Sequence, residues 1–376
     1  MKIYNLLFAI LAMVVIGCTK SDSDGNSNDK SNGVNSTYTL LVQNIEKLSS
    51  INININGELI VATSTESAFP LSSTPKLSYI EDNFFSYYNK KADCSGEITV
   101  YDFEDKSVAS KIVFDDLGTC NLKSNAILRT KNSLFIAYEI ETSKKISDYF
   151  VRAIDTSSEE VIFTDIALGH KPVEMAFAND RLFVLTLDEE LSGKYGINVI
   201  DAQINLLIYH DLLTFDARRI FKGPNDNIIV SFDDLHMTID NNSLAVTTTK
   251  YGVGTEPNFK SANTMKFDGS GRLYYDMPGG AHSIYPVISA VYDFDKNSAI
   301  LYAYENFLSE AQRKFEFEIE STTMVSYDEK NDFILIGYKK LGRNNRGGLL
   351  RIKPAPNPAL IDNLDVDGVP YSIFVE

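Results

Sequence analysis

Tryptophan is missing from this chain, cysteine occurs three times and histidine four times in 376 residues. The absent tryptophan weakens any reading as a dedicated glycan platform, since such surfaces rely on large flat aromatic faces. His170, His210, His236 and His282 form no HExxH or similar ligand spacing, so neither a metal site nor a cofactor is expected. GxSxG and GxxxxGK[ST] are likewise absent, and Gly269-Ser270-Gly271 reads as a hairpin turn. No catalytic residue is assigned, although an active site gathered from distant segments would leave no local motif. Positive charge is also short. Lys and Arg total 35 against 51 Asp and Glu, a net charge of −16, and phosphates would be repelled over the whole surface, which excludes nucleic acid as a partner.

Long apolar runs are lacking except at the start. Lys2 precedes an unbroken apolar stretch from Leu6 to Ile16, then Gly17 and Cys18, the charged head, greasy middle and small exit of a secretory signal spanning residues 1–17. The run is too short to cross a bilayer. Val15-Ile16-Gly17-Cys18 resembles the bacterial lipobox, which implies a diacylated Cys18 at the new N-terminus. Each acyl chain contributes about 0.8 kcal/mol per buried methylene, so Cys18 would hold the protein to a lipid bilayer without help from the fold. Residues 18–37 after that point contain one apolar side chain, Val34, and read as a flexible acidic tether. The body is then 38–376.

With Cys18 spent on lipid, Cys94 and Cys120 remain. Export makes a disulfide between them plausible, stabilising by roughly 3 kcal/mol in the chain-entropy model; the alternative is a pair of free buried thiols.

Six segments in the body repeat a polar turn that runs into an apolar strand: EDNFFSYY, KNSLFIAY, NDRLFVLT, NDNIIVSF, GSGRLYYD and KNDFILIGY. Their first strand residues are Phe84, Leu134, Leu182, Ile228, Leu273 and Phe333, spaced 50, 48, 46, 45 and 60 residues apart by subtraction. Such a period belongs to propeller blades. A second motif recurs once per period, as in ITVYDFEDKSV and INVIDAQINLL, and puts Asp102, Asp155, Asp201, Asp240 and Asp293 at one equivalent turn, with Lys353 in the last copy. These aspartates read as turn formers, because a carboxylate accepts a hydrogen bond from the backbone two residues on.

The chain ends with VPYSIFVE, and its ordered part begins with TYTLLVQN, SSININI and NGELIVAT. One strand from the C-terminus and three from the N-terminus complete a seventh blade and remove the free edges of an open sheet. The expectation is an all-β, seven-bladed β-propeller closed by strands from both termini, with a monomeric body. The extra residues before Phe333 suggest a short helix over Leu308–Lys314 and a strand in which Phe315, Phe317 and Ile319 alternate with glutamates.

The repeat, with Gly169-His170-Lys171-Pro172-Val173 ahead of an inner strand and INVID after the next loop, resembles the YVTN-type seven-bladed propellers. The lipobox, the acidic Ser21-Asp22-Ser23-Asp24 and the layout YTLLVQNIEKL, ININING and FFSYYNKKADCSGEITVYDFE resemble Bacteroidota surface lipoproteins built as propellers. These include a group that binds ferric siderophores beside a TonB-dependent outer-membrane transporter. That resemblance implies a lipid-anchored protein on the outer membrane, facing outward, that captures a small anionic ligand without catalysis. Rival readings are a surface protein-interaction scaffold and a hydrolase or lyase assembled from several blades.

Loops joining the blades gather lysines and arginines, among them Lys90, Lys91, Lys144, Lys145, Lys194, Lys260, Lys339 and Lys340, while the opposite turns gather Glu81, Asp82, Glu104, Asp105, Glu159, Glu160, Asp226 and Asp295. A cationic pocket in an acidic protein would focus the field on an anion. The candidate ligand-binding residues on that face are His170, Lys171, Arg218, Arg219, His282, Arg343, Arg346 and Tyr371. Arg218 and Arg219 stand out because guanidinium groups suit bidentate anion contacts. Tyr87, Tyr88 and Tyr275 also fall near these loops.

Overall fold

The computed structural model describes residues 35–45, 47–56, 59–63, 69, 73–143, 146–157, 162–213, 216–343 and 345–375. The signal segment, Cys18, the tether up to residue 34, Lys144, Lys145, Glu159 and Glu160 lie outside the described residues.

The fold is a seven-bladed β-propeller: seven four-stranded antiparallel sheets, each contributing one innermost strand to a central channel. The innermost strands are β4 (Leu77–Glu81), β8 (Leu122–Arg129), β12 (Lys171–Ala178), β16 (Arg219–Lys222), β20 (Met265–Phe267), β24 (Ile319–Asp328) and β28 (Val369–Val375). In blades 1 to 6 the chain moves outward strand by strand, then crosses to the next blade. The six repeated turn-and-strand segments each lead into the second strand of a blade. Leu134, Leu182, Ile228 and Leu273 are buried there, at 0–2% exposure, because those positions point between neighbouring sheets.

Alternating strand direction gives the ring two distinct faces. Innermost strands start on a loop face, which holds the crossovers between blades and the connections between second and third strands. They end on a turn face of short hairpins.

Blade 7 closes the ring, with β28 pairing with β1 (Asn35–Asn44) from Tyr38↔Val375 to Gln43↔Val369, and β2 (Lys47–Asn56) and β3 (Leu59–Thr63) following outward. β1 begins three residues inside the segment assigned to the tether, since Asn35 to Thr37 pair with Asn56 to Asn54. Packing joins this blade to both neighbours. Phe374 stacks on Phe103 of blade 1 at 4.0 Å between ring centroids, and Tyr38 Oη donates to the buried Asp328 of blade 6 at 2.5 Å.

The segment before β24 departs from expectation. The short helix expected over Leu308–Lys314 is present but shifted, starting at Glu310 and running on as a π-helical turn at Gln312–Glu316, and β24 starts only at Ile319. Phe315 and Phe317 are therefore not strand partners: Phe315 is 80% exposed and Phe317 is buried against the core of blades 5 and 6.

The recurring aspartates do form turns. Asp102, Asp155, Asp201 and Asp240 accept from the backbone N–H two residues on at 2.8–3.1 Å, and Asp293 accepts from the N–H of Lys296, three residues on, at 2.9 Å. Cys94 and Cys120 are disulfide-bonded, with Cα atoms 4.9 Å apart. The bridge ties a loop of blade 1 to the crossover leading into blade 2.

Candidate functional site

The central channel encloses a cavity of about 1560 Å³ lined by all seven innermost strands. Register shifts interrupt the alternation of β8 at Ser124/Ala126, β12 at Pro172/Glu174 and β24 at Thr322/Met324, and polar residues lining the lumen include Ser78, Asn125, Glu174, Arg219, Lys266 and Thr323. Asn125 Nδ2 and Thr323 Oγ1 are buried without a hydrogen-bond partner, so both retain capacity for water or a ligand.

Near the loop face, hydrogen bonds link neighbouring inner strands in sequence. Glu174 of β12 accepts from Arg219 Nε at 3.0 Å and from the N–H of Ile220 at 2.9 Å, both in β16. Arg219 also donates from Nη1 to the carbonyl of Ala262, just before β20. Thr264 Oγ1 then accepts from the N–H of Val325 in β24 at 2.9 Å, and is itself held by Asp276, which accepts four bonds from Asn263 and Thr264 at 2.8–3.0 Å. Across the closure, Ser78 of β4 and Tyr371 of β28 share a hydrogen bond at 3.1 Å. A buried carboxylate with such partners stabilises only while every bond is made.

Toward the turn face the wall becomes aromatic, then acidic. Phe221, Phe267 and Phe294 line it, with centroids of successive rings 6.5 and 5.9 Å apart. Glu81, Asp82, Asp226, Asp268, Asp293 and Asp295 surround the mouth, with Lys222 paired to Asp226 at 2.7 Å. Burial, reinforced by Asp82, pushes the Glu81 carboxyl above its ordinary range, against the pull of Lys222 and Arg129. Gly271 sits at φ +81°, and a Cβ there would lie 2.9 Å from Pro224 Cβ; this turn therefore requires glycine.

Of the eight candidate residues read from sequence, Arg219 and Tyr371 line the channel. The other six lie outside the channel wall, in the loops around it or, for Lys171 and Arg346, at the first residue of β12 and of β26 (Arg346–Lys353). Lys171 pairs with Glu189 at 2.8 Å, Arg218 with Asp233 at 2.5 Å, Arg343 with Glu318 at 3.7 Å and Arg346 with Asp367 at 3.6 Å. His170 Nδ1 is 3.8 Å from Asp188, and its ring centroid lies 6.1 Å from that of His210. His282 is exposed in the loop between the second and third strands of blade 5. Lys171, Arg218, Arg343 and Arg346 thus each stand beside one carboxylate rather than together in one pocket. The Arg218 guanidinium holds the Asp233 carboxyl below its ordinary range. Tyr87, Tyr88 and Tyr275 are core residues. Lys266, which sequence reasoning passed over, lines the channel, is exposed to it and makes no ion pair among the described residues. Its three-residue strand is too short to reveal an alternation. No group of three His, Cys, Asp or Glu side chains among the described residues is placed to hold a metal ion.

No protein-family model matches this chain, and no curated protein is similar to it in sequence. Solved structures of related shape include a chain of a mitotic checkpoint complex, at 10% identity and TM-score 0.44, covering 77% of this chain and 76% of that one. The Neurospora crassa Pan2 WD40 domain is 8% identical, with TM-score 0.45 and coverages of 76% and 78%. A Mycobacterium tuberculosis puromycin-hydrolyzing peptidase is 10% identical, with TM-score 0.45, covering 88% of this chain and 53% of that one. Likenesses this distant carry no information about ligand, partner or reaction.

Proposed function

We propose that this protein is a binding propeller, anchored in the outer membrane through an acylated Cys18 and facing outward, that takes up a small ligand in its central channel without chemistry of its own. The specific form we propose is accessory capture of a ferric siderophore for a neighbouring outer-membrane transporter. What supports binding is the channel itself: about 1560 Å³ of space, larger than the few hundred Å³ of an ordinary small-molecule pocket, with Lys266 and the orphaned Asn125 and Thr323 in its wall. What supports the anchor and the choice of ligand is the lipobox and the resemblance carried by the N-terminal layout.

The test is a thermal-shift panel of ferric siderophores, haem, acidic sugars and neutral glycans on the full chain carrying Cys18→Ser, followed by calorimetry. A ligand at a hundred times its Kd should stabilise the fold by about 2.7 kcal/mol. Lys266→Ala should weaken binding of an anionic chelate at least tenfold while leaving the unliganded melting temperature unchanged. Silence across the panel would overturn the ligand reading and leave the interaction-scaffold reading in its place; consumption of a ligand would establish an enzyme. Labelled palmitate entering the wild-type chain in a bacterial host, and not Cys18→Ser, would establish the anchor.

A further inference from the structure

The two faces of the ring differ in how they treat apolar side chains. Ile45, Leu191, Val253, Ile284, Phe315 and Leu341 are between 63% and 101% exposed, and all six stand on connections of the loop face. The most exposed large apolar residue in the described turns of the other face is Ile204, at 60%. Single exposed apolar residues are ordinary on a protein surface. Their segregation to one face of a disc, on connections of blades 3 to 7, is what calls for a cause.

We infer that the loop face docks on a lipid bilayer, with these tips entering the interfacial layer. Three observations favour a bilayer over a protein. Five of the six tips have polar residues or glycine on both sides, as in Glu190-Leu191-Ser192, Gly252-Val253-Gly254 and Lys314-Phe315-Glu316, and Ile284 stands between Ser283 and the buried Tyr285, so no loop offers an exposed apolar run of the kind that centres a protein interface. A fluid planar surface accepts separate tips one at a time. Charge is distributed to match: the turn face carries carboxylates that make no ion pair among the described residues, such as Asp82, Asp105 and Asp295, whereas Lys171, Arg218 and Arg343 of the loop face are each paired with a carboxylate beside them. Docking by the loop face keeps the acidic face in water. Finally, β1 starts on the turn face, and the 17 residues from Cys18 to Asn35 span up to about 60 Å when extended, enough to run past a disc whose strands are about 25–35 Å long. The docking does not itself depend on acylation of Cys18.

The apolar run Leu6–Ile16 would itself hold the full chain to vesicles, so the readout belongs at the loops. Single cysteines at Leu191, Val253, Phe315 and, as control, Ile204, each in the Cys18→Ser chain, are labelled with a polarity-sensitive fluorophore and mixed with phosphatidylcholine vesicles. Expected are a blue shift and quenching by lipid-borne nitroxides at the three loop-face sites, and neither at Ile204. Ile284→Asp with Leu341→Asp should weaken the shift at the Val253 site at least tenfold in lipid concentration. Phosphatidylglycerol-rich vesicles should bind more weakly, because the chain carries a net charge of −16. The inference fails if no loop-face probe shifts, if Ile204 shifts equally, if anionic lipid binds more tightly, or if the shift appears without lipid as protein concentration rises, which would mean a second copy covers this face.

Discussion

His236 shows what a single residue in this core costs. It is 3% exposed, ringed by Tyr251, Tyr292 and Phe294, and its Nδ1 has no hydrogen-bond partner. Burial penalises the imidazolium and pushes its pKa down from 6.5 to about 4. The unfolded chain therefore takes up the proton first as acid is added. Stability from this residue is complete above pH 6.5 and declines as pH falls toward 4, by an amount approaching roughly 3 kcal/mol. In urea melts at pH 7 and pH 4.5, His236→Phe should lose about 2 kcal/mol less than the parent; equal losses would show that His236 is not the sensor. At this scale the sequence was legible where a residue acts on its own neighbours. Asp102 and its counterparts could be assigned because the bond they accept lies two or three residues away. Arg218 and Lys171 were recognisable as loop cations, but Asp233 and Glu189, 15 and 18 residues on, meet them only once a hairpin has folded back. Lys266 gave no signal, because a strand of three residues has no period to read.

The elements follow the same division. Second and third strands of each blade were identified from sequence because a turn and an apolar strand are contiguous and recur. The short helix before β24 was identified but its end was not: the π-helical turn at Gln312–Glu316 carries it past Lys314, where Phe315 and Phe317 alternate as a strand would while only Phe317 is buried. Outermost strands carry the weakest pattern, and β15 (Leu206–Leu212) is the extreme: all seven residues are exposed, including Leu206, Leu207, Ile208, Tyr209 and Leu212. It pairs only inward with β14 (Tyr195–Asp201), leaving one row of backbone groups open. An apolar edge without lysine or proline is a template for pairing with another chain. Ile208→Lys should reduce concentration-dependent light scattering of the purified protein on warming and leave its melting temperature within about 1 °C, since the side chain is already in water. Unchanged scattering would place self-association elsewhere.

At the scale of the molecule, closure is the feature that local sequence could only imply. β28 lies more than 300 residues from its partner β1, and nothing in either strand names the other. The inference rested on counting: six repeats, a lone strand at one end and three at the other. Closure couples ends to centre, because Phe374 packs on Phe103 in blade 1 while Tyr38 reaches Asp328 in blade 6. Opening the ring should therefore be felt by blades on both sides of the gap. Phe374→Ala removes a ring that is 3% exposed and should cost about 3–5 kcal/mol. Deleting residues 370–376 takes away an inner strand and exposes the channel, so the main unfolding transition should shift by far more than removal of a tail would cause, and tryptic cleavage should reach blades 1 and 6 in the native buffer. If the deletion melted like the parent, the seventh blade would not be holding the ring, and the linked inner strands from β12 to β24 would have to be sufficient to keep the other six blades in place.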